Sequence, residues 1–270
     1  MLAVDAHPGS AERAFKAAPE ANEKPIFTLR LLGGFELLVG GREVRVPDAT
    51  QKIIAFLAFQ TASVRRGFVA GSLWMDHTDE RASANLRTAL WRLPREVAGL
   101  IVGGRTSLVL SPMASIDYRN ALRIALSVLV GENGQFVPPG SEFEALDHTL
   151  LPGWYDDWVV AERDRLQQTR LHVLEVLARN ALKEGHFEDA IQLAQTVVRA
   201  EPLRESGHLL LARAHIASGN RATAVRQIQR LDALLLSELG ISASPEAWLI
   251  IEHIHSNAQS QRPLATAAHR

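Results

Sequence analysis

The sequence predicts an α+β domain over residues 26–111, followed by an all-α domain over residues 115–256. Three observations predict this division: short alternating segments separated by glycine pairs, a helix with one apolar and one cationic face, and small residues that recur 34 residues apart. A chain of 270 residues has room for two domains of ordinary size. The remaining segments, 1–25 and 257–270, show no such pattern, and we expect them to be disordered tails.

The first domain is expected to begin with a small antiparallel sheet. Apolar and polar residues alternate over 27–31, 35–39 and 43–46, and a pair of glycines separates each segment from the next. Two helices are predicted to follow. The first, through residues 53–59, is almost wholly apolar and should be buried, and the second is short and covers Gly67–Leu73.

The third predicted helix, Arg81–Leu93, has two unlike faces. Its apolar side chains gather on one side at about 100° per residue, and that side should be buried. The other side carries guanidinium, amide and hydroxyl groups, which contact phosphates and base edges in DNA complexes. Many solvated helices also carry arginine and asparagine, so an ordinary surface helix is the alternative. Pro94 should end or bend the helix, because it cannot donate a hydrogen bond to the carbonyl of Leu90. The apolar side consists of Ala82, Leu86, Ala89, Leu90 and Leu93.

Two more short strands, 100–102 and 107–110, flank a basic glycine turn after this helix. Strands, three helices and a hairpin follow one another in the order of a winged helix-turn-helix, whose third helix enters the major groove of DNA. Trp91 has a second interpretation, as an aromatic side chain packed against the hairpin. The residues expected to contact DNA are Arg81, Asn85, Arg87, Thr88, Trp91 and Arg92 in the helix, Arg105 and Thr106 in the hairpin, and Arg65 and Arg66 before the second helix.

The second domain is predicted to be helical throughout, from Pro112 onward. Small residues between positions 178 and 194 recur 34 residues later, which lets paired helices approach closely and matches the tetratricopeptide arrangement. A last helix, capped by Ser244, should seal the open end of the array. The predicted pairs are 171–184 with 187–200 and 204–218 with 221–239. The apolar side of the last helix consists of Trp248, Leu249, Ile251 and Ile254.

Charge is unevenly distributed along the chain, although the overall net charge is only −1. Residues 26–111 hold eleven Lys and Arg against seven Asp and Glu, a net charge of +4, whereas the chain from residue 112 onward has a net charge of −4. This modest excess permits the first domain to bind phosphates without requiring it. The absence of cysteine excludes disulfides, thiolate metal sites and cysteine nucleophiles.

No catalytic, cofactor or metal site is expected, so the protein should not be an enzyme. No glycine-rich loop ends in Lys-Ser or Lys-Thr, and His208 and His215 share a helix face without a third ligand. The neighbouring pair Asp147-His148 is expected to be solvated. The first 25 residues do not resemble a signal peptide, and the apolar runs are too short for a membrane span. We therefore expect a cytoplasmic protein.

Several motifs of the chain carry a resemblance to a known family. In the first domain they are Leu29-Arg-Leu-Leu-Gly-Gly-Phe-Glu-Leu, Leu73-Trp and Asn85-Leu-Arg-Thr-Ala-Leu-Trp-Arg-Leu. In the second domain they are Leu151-Pro-Gly-Trp-Tyr-Asp-Asp-Trp, Glu201-Pro-Leu-Arg-Glu-Ser and Ser237-Glu-Leu-Gly-Ile. The first set resembles SARP-type transcriptional regulators, the antibiotic-regulatory-protein group of bacteria, and the second set resembles the bacterial transcriptional activator domain that follows in that family. Pro94 departs from the pattern, because the family commonly has a basic residue there.

The resemblance implies an OmpR-like winged helix followed by a tetratricopeptide-like activator domain. It also implies binding to double-stranded DNA at direct repeats near a promoter, with activation through contact with RNA polymerase. Direct repeats would place a second copy head-to-tail on the DNA rather than as a two-fold pair. An alternative function, from a different class, is a protein-interaction scaffold whose winged helix docks protein instead of DNA.

Overall fold

The computed structural model describes residues 26–130, 143 and 145–260, which form two compact units. The first, which we call the winged-helix unit, comprises the described residues up to Ile124 together with those of 141–167. The second, the helical unit, comprises the described residues of 125–140 and those from Gln168 onward. The predicted tail 1–25 lies outside the described residues, as does the part of the predicted C-terminal tail after Ser260.

A four-stranded sheet opens the winged-helix unit. Strand β1 (Phe27–Arg30) pairs antiparallel with β2 (Glu36–Val39), which pairs antiparallel with β3 (Arg42–Glu43). On its other edge β1 pairs in parallel with β7 (Ala114–Ile116), so the order is β3-β2-β1-β7. The expectation of helices alone after Pro112 is therefore wrong. Three residues are too few to show alternation, and the strand forms because β1 offers an edge of unpaired backbone groups.

The three predicted helices are present. Helix α1 (Asp48–Ala58) is buried on all sides from residue 53 onward, as its apolar run predicted. Helix α2 (Arg66–Leu73) and helix α3 (Asp79–Trp91) follow. The latter ends before Pro94, as predicted, and the proline precedes a short 3-10 turn, Arg95–Val97.

The hairpin after α3 belongs to a second sheet. Its strands β5 (Ile101–Gly103) and β6 (Ser107–Leu110) pair antiparallel, as the sequence predicted. A strand that the sequence analysis missed, β4 (Val64–Arg65), pairs with the outer edge of β6, so the order is β4-β6-β5. Because β4 runs directly into α2, this pairing fixes the start of α2 against the hairpin.

The start of α4 (Asp117–Val130) and the segment around Leu151 both bond to the residues just after β1. The carboxylate of Asp117 accepts hydrogen bonds from the backbone N–H groups of Leu31 and Leu32 at 2.9 and 3.0 Å. The N–H of Leu151 donates to the carbonyl of Leu31 at 2.8 Å. The bonds to Asp117 join the first motif of the chain to the start of α4, and the bond from Leu151 joins it to the start of the Leu-Pro-Gly-Trp motif.

Aromatic rings at the beginning of α5 (Asp157–Glu184) and just before it pack against rings from earlier in the winged-helix unit. The rings of Phe35 and Trp154 stack at 6.1 Å, and Trp158 meets Phe56 edge-on at 5.4 Å. The side chain of Lys52 forms an ion pair with Asp156 at 2.6 Å. The Leu-Pro-Gly-Trp motif is therefore part of the core of the winged-helix unit.

The helical unit consists of the end of α4, the later turns of α5 and four further helices joined by short turns. The repeated small residues lie in its core, and the turn glycines Gly185 and Gly219 both have a φ of 84°, which favours glycine. The additional helices are α6 (Phe187–Ala200), α7 (Glu205–Ala217), α8 (Arg221–Leu239) and α9 (Pro245–Ser260). The predicted small residues that are fully buried are Ala178, Ala190, Ala194, Ala212 and Ala224.

Helix α9 closes the array with a face different from the one expected. Ala247, Ile251 and Ile254 are buried in a cluster with side chains of α7 and α8. The prediction that Trp248 and Leu249 share this face is wrong, since both are exposed. Residues 247, 251 and 254 follow the spacing of a single helical stripe, and the two intervening side chains turn away from it.

The Glu-Pro-Leu-Arg-Glu-Ser motif ties three helices of the helical unit together. Arg204 donates to the carboxylate of Glu175 on α5 at 2.8 and 3.3 Å, and the hydroxyl of Ser206 donates to the same carboxylate at 2.6 Å. Glu205 accepts a hydrogen bond from the N–H of Ser244, just before α9, at 2.8 Å.

Among the described residues, no helix combines the length and the apolar character that a membrane span requires.

Candidate nucleic-acid interface

Helix α3 is held in place by its N-terminal cap and by one buried stripe. The side chain of Thr78 accepts a hydrogen bond from the N–H of Arg81 at 3.4 Å, which satisfies one of the free donors of the first turn. Ala82, Leu86 and Ala89 are buried, as the sequence predicted. Because this stripe is anchored, the direction of every other side chain on α3 is determined.

The side chains that point most directly away from the buried stripe form one line along α3. At about 100° per residue, Glu80, Ala84 and Trp91 lie within about 30° of the direction opposite the stripe, and Arg87 lies within about 50°. We call these four residues the outer line. Trp91 is 85% exposed, so the interpretation that it packs against the hairpin is wrong.

The hairpin lies beside one flank of α3, on the side of Ser83 and Arg87. A depression of about 490 Å³ separates them and brings Arg66, Arg87 and Arg105 together. The N–H of Arg66 donates to the carbonyl of Thr106 at 2.9 Å, and its guanidinium donates to the carbonyl of Gly104 at 3.2 Å. Arg66 therefore holds the hairpin tip against α2 as well as adding positive charge.

A second depression, of about 840 Å³, lies on the other side of the hairpin tip. It places Arg65 near Arg105 and Thr106, which are three of the residues expected to contact DNA. The hairpin itself depends on Gly103, because a Cβ atom at this position would lie 2.4 Å from the carbonyl oxygen of Ser107. The close approach of the two strands thus requires a residue without a side chain.

The opposite flank of α3 carries the remaining predicted residues. Arg81, Thr88 and Arg92 are exposed, whereas Asn85 is half-buried and lies about 110° from the centre of the outer line. The hydroxyl of Thr88 donates to the carbonyl of Ala84 at 2.9 Å, so toward a ligand it can act as an acceptor. The ten predicted residues therefore surround α3 on two sides rather than forming one row.

Both flanks of α3 are cationic. In the part of the chain that the structure describes, no carboxylate lies within ion-pair distance of the interface arginines. An arginine that forms no internal ion pair keeps its charge available for a partner, and phosphate is a preferred one. The arginines concerned are Arg65, Arg66, Arg81, Arg87, Arg92 and Arg105.

Two residues of this surface were missed by the sequence analysis. Glu80 stands on the outer line because α3 begins at Asp79, two residues before the predicted start. The Thr78 cap followed by two acidic residues is a helix-start pattern that could have revealed this. Phe68 is 59% exposed next to the hairpin tip, and no sequence pattern distinguishes it from a buried aromatic residue.

The model of the bacterial transcriptional activator domain matches residues 119–254, half of the 270 residues. The chain belongs to the bacterial transcriptional activator domain family. A curated relative, regulatory protein AfsR of Streptomyces griseus, is 26% identical over 230 residues, which cover 81% of this chain and 23% of AfsR. The chain thus spans about a quarter of the length of that relative.

A solved structure, Mycobacterium tuberculosis EmbR in complex with a low affinity phosphopeptide, shares the fold with a TM-score of 0.65. The likeness covers 88% of this chain and 66% of the EmbR chain, at 19% sequence identity. Together with the family match, these likenesses confirm the resemblance to SARP-type regulators and the predicted fold class, a winged helix followed by helical repeats.

Proposed function

We propose that this member of the activator domain family is a sequence-specific DNA-binding regulator that inserts α3 into the major groove. The observation that supports this most strongly is the outer line of α3, which is bordered on both flanks by arginines that form no ion pair among the described residues. A helix with its side chains is about as wide as the major groove, and phosphates line both edges of that groove. The outer line of α3, with arginines on both of its flanks, matches this geometry.

Each residue has a proposed role that follows from its direction. Arg87, on the outer line and facing the hairpin, donates to the O6 and N7 acceptors of a guanine. Arg81 and Arg92 donate to phosphates on one side of the groove, and Arg105 reaches the backbone or minor groove on the other. The prediction that Asn85 reads an adenine stays a prediction.

Four more residues complete the proposed interface. Thr106 and Arg65 contribute to phosphate binding beside the hairpin tip. Arg66 acts mainly by positioning the tip through its bonds to Thr106 and Gly104. Thr88 offers an acceptor at the groove edge, and Trp91 supplies an apolar surface at the end of the outer line.

The helical unit is proposed to carry the activating function, through contact with RNA polymerase. The name of the matched family and the SARP resemblance support this role. The same resemblance supports operators built from direct repeats, on which a second copy would bind head-to-tail.

The experiment is a binding titration with duplex DNA from upstream of the gene and of its neighbours, compared with random duplex DNA at several salt concentrations. Selective binding that weakens steeply as salt rises is expected. Arg87→Ala should cost about 1–3 kcal/mol on the operator and much less on random DNA. An equal loss on both DNAs would assign Arg87 to phosphate instead.

Arg42→Ala is the matched control, because it removes the same charge from β3 in the other sheet. It should leave operator binding unchanged. Failure of the wild-type protein to bind any duplex at low salt would overturn the proposal and favour the scaffold function, in which the winged helix docks protein.

A further inference from the structure

A negative charge stands at the N-terminal end of the outer line, inside the cationic interface. Glu80 is exposed and belongs to the outer line, one turn before Ala84 and two turns before Arg87. The arginines lie to either side of it, on the flanks of α3 and around the hairpin tip. Its carboxylate lacks an ion-pair partner within the described ranges, so it does not serve to neutralise a neighbouring arginine.

This position determines what the carboxylate would meet in a DNA complex. The phosphates border the groove, where the flanking arginines reach them, and the floor of the groove presents base edges. A carboxylate near a phosphate is repelled, whereas one over the groove floor can accept a hydrogen bond from an exocyclic amino group. The outer line of α3 points to the floor, so Glu80 is directed at bases.

Among the base edges of the major groove, the amino group of cytosine suits a carboxylate best. Adenine also presents an amino group, but its N7 acceptor lies next to it and repels a second acceptor. Guanine presents two acceptors, and thymine presents a carbonyl and a methyl group. Only cytosine offers a donor with no acceptor beside it on the same base.

We propose that Glu80 is a specificity-determining residue that selects a cytosine in each half-site by accepting a hydrogen bond from its N4 amino group. The proposal rests on the proposed function, since it requires α3 to lie in the major groove. It also predicts a particular balance of effects. Removing the carboxylate strengthens binding to DNA in general, because a repulsive charge is lost, while it weakens the discrimination of one base pair.

Asp79 provides a matched control. It is the neighbouring residue, it is exposed in the same first turn, and it carries the same charge. It lies about 125° from the centre of the outer line, so it points away from the groove floor. Both variants remove one carboxylate from the positive end of the helix macrodipole, so their effects on the stability of α3 should be similar.

The experiment selects bound sequences from a random duplex library with wild-type protein, Glu80→Ala and Asp79→Ala, and then measures affinities for the selected and random duplexes. The wild-type and Asp79→Ala proteins should select the same cytosine. Glu80→Ala should prefer it about tenfold less, while the guanine preference assigned to Arg87 persists. Both variants should bind random DNA at least as tightly as wild type.

Unchanged cytosine preference in Glu80→Ala, or an equal loss in Asp79→Ala, would overturn the inference while leaving the proposed function intact. A wild-type protein that selects no sequence at all would instead overturn the proposed function, and the role of Glu80 with it.

Discussion

Arg204→Ala should destabilise the helical unit because it leaves a buried carboxylate without its main partner. Only 5% of the Glu175 side chain is exposed, against 21% for Arg204. Burial alone would raise the pKa of Glu175, but the hydrogen bonds from Arg204 and Ser206, with the charge of Arg204, hold that pKa below its ordinary value. The carboxylate is therefore ionised at neutral pH. In the variant, this buried charge would keep the hydroxyl of Ser206 as a hydrogen-bond donor among the described residues, with Nδ1 of His172 farther away at 3.9 Å.

The size of the effect follows from this geometry. Removing one partner of a buried ion pair costs about 3–5 kcal/mol. Because a fifth of the Arg204 side chain is exposed, water can enter and replace part of the lost hydrogen bonding. With Ser206 still donating, we expect a loss of about 2–4 kcal/mol in the free energy of unfolding.

Urea unfolding of the full chain, followed by the far-ultraviolet circular dichroism of its helices, measures this loss. The control is Arg213→Ala, which breaks the ion pair of Arg213 with Glu246 on the surface of the same unit. Both side chains of that pair are about half exposed, so its loss should cost no more than about 1 kcal/mol. An Arg204→Ala loss no larger than that of the control would refute the reasoning.

The pH dependence provides a second test of the same pair. Because the pKa of Glu175 is lower in the folded chain than its ordinary value of 4.5, the unfolded chain binds the proton more readily. The stabilisation from the pair is thus present above that pH and is lost as the pH falls through the folded-state pKa. The difference between wild type and Arg204→Ala should shrink in acid, and a difference that grows there would contradict the assignment.

Three further predictions concern single positions. Gly103→Ala should displace the hairpin tip, weaken DNA binding and speed amide exchange there, whereas Gly104→Ala, which meets no atom within 4 Å, should do neither. Trp91→Ala should leave the free energy of unfolding within about 0.5 kcal/mol of wild type, because the side chain is exposed. The same variant should weaken DNA binding, and unchanged binding would show that Trp91 is not part of the interface. Burial lowers the pKa of His208 from its ordinary value of 6.5, so the unfolded chain binds a proton more readily than the folded chain. The free energy of unfolding should therefore fall as the pH drops below about 6.5. Urea titrations at several pH values should show a weaker pH dependence in His208→Gln.

The regular elements could be predicted wherever a pattern was long enough to repeat. The apolar run of α1 and the two-faced α3 were both identified from periodicity, and Pro94 marked where α3 ends. The strands β4 and β7 were missed, because two or three residues cannot show alternation. Such strands form only when another strand presents an edge with unpaired backbone groups, and the local sequence does not show where that edge will lie.

The residue types of the candidate interface could also be predicted, but their arrangement could not. The sequence places the arginines of α3 on one helix and Arg105 in a hairpin. It does not show that Arg66 bonds to the hairpin tip, or that Glu80 points the same way as Arg87. The first depends on a contact between residues 38 positions apart, and the second on the helix start that the Thr78 cap determines.

By itself, the amino-acid sequence determined the two domain types, the buried face of α3 and the family they resemble, because helical periodicity and glycine turns are local properties of the chain. Only the tertiary structure decided that the Leu-Pro-Gly-Trp segment packs into the winged-helix unit, through the hydrogen bond from Leu151 to Leu31 and the stacking of Trp154 on Phe35. It also decided that the Glu175 carboxylate is buried against Arg204. Contacts between distant segments depend on how whole faces fit together, and that fit is a property of the folded chain.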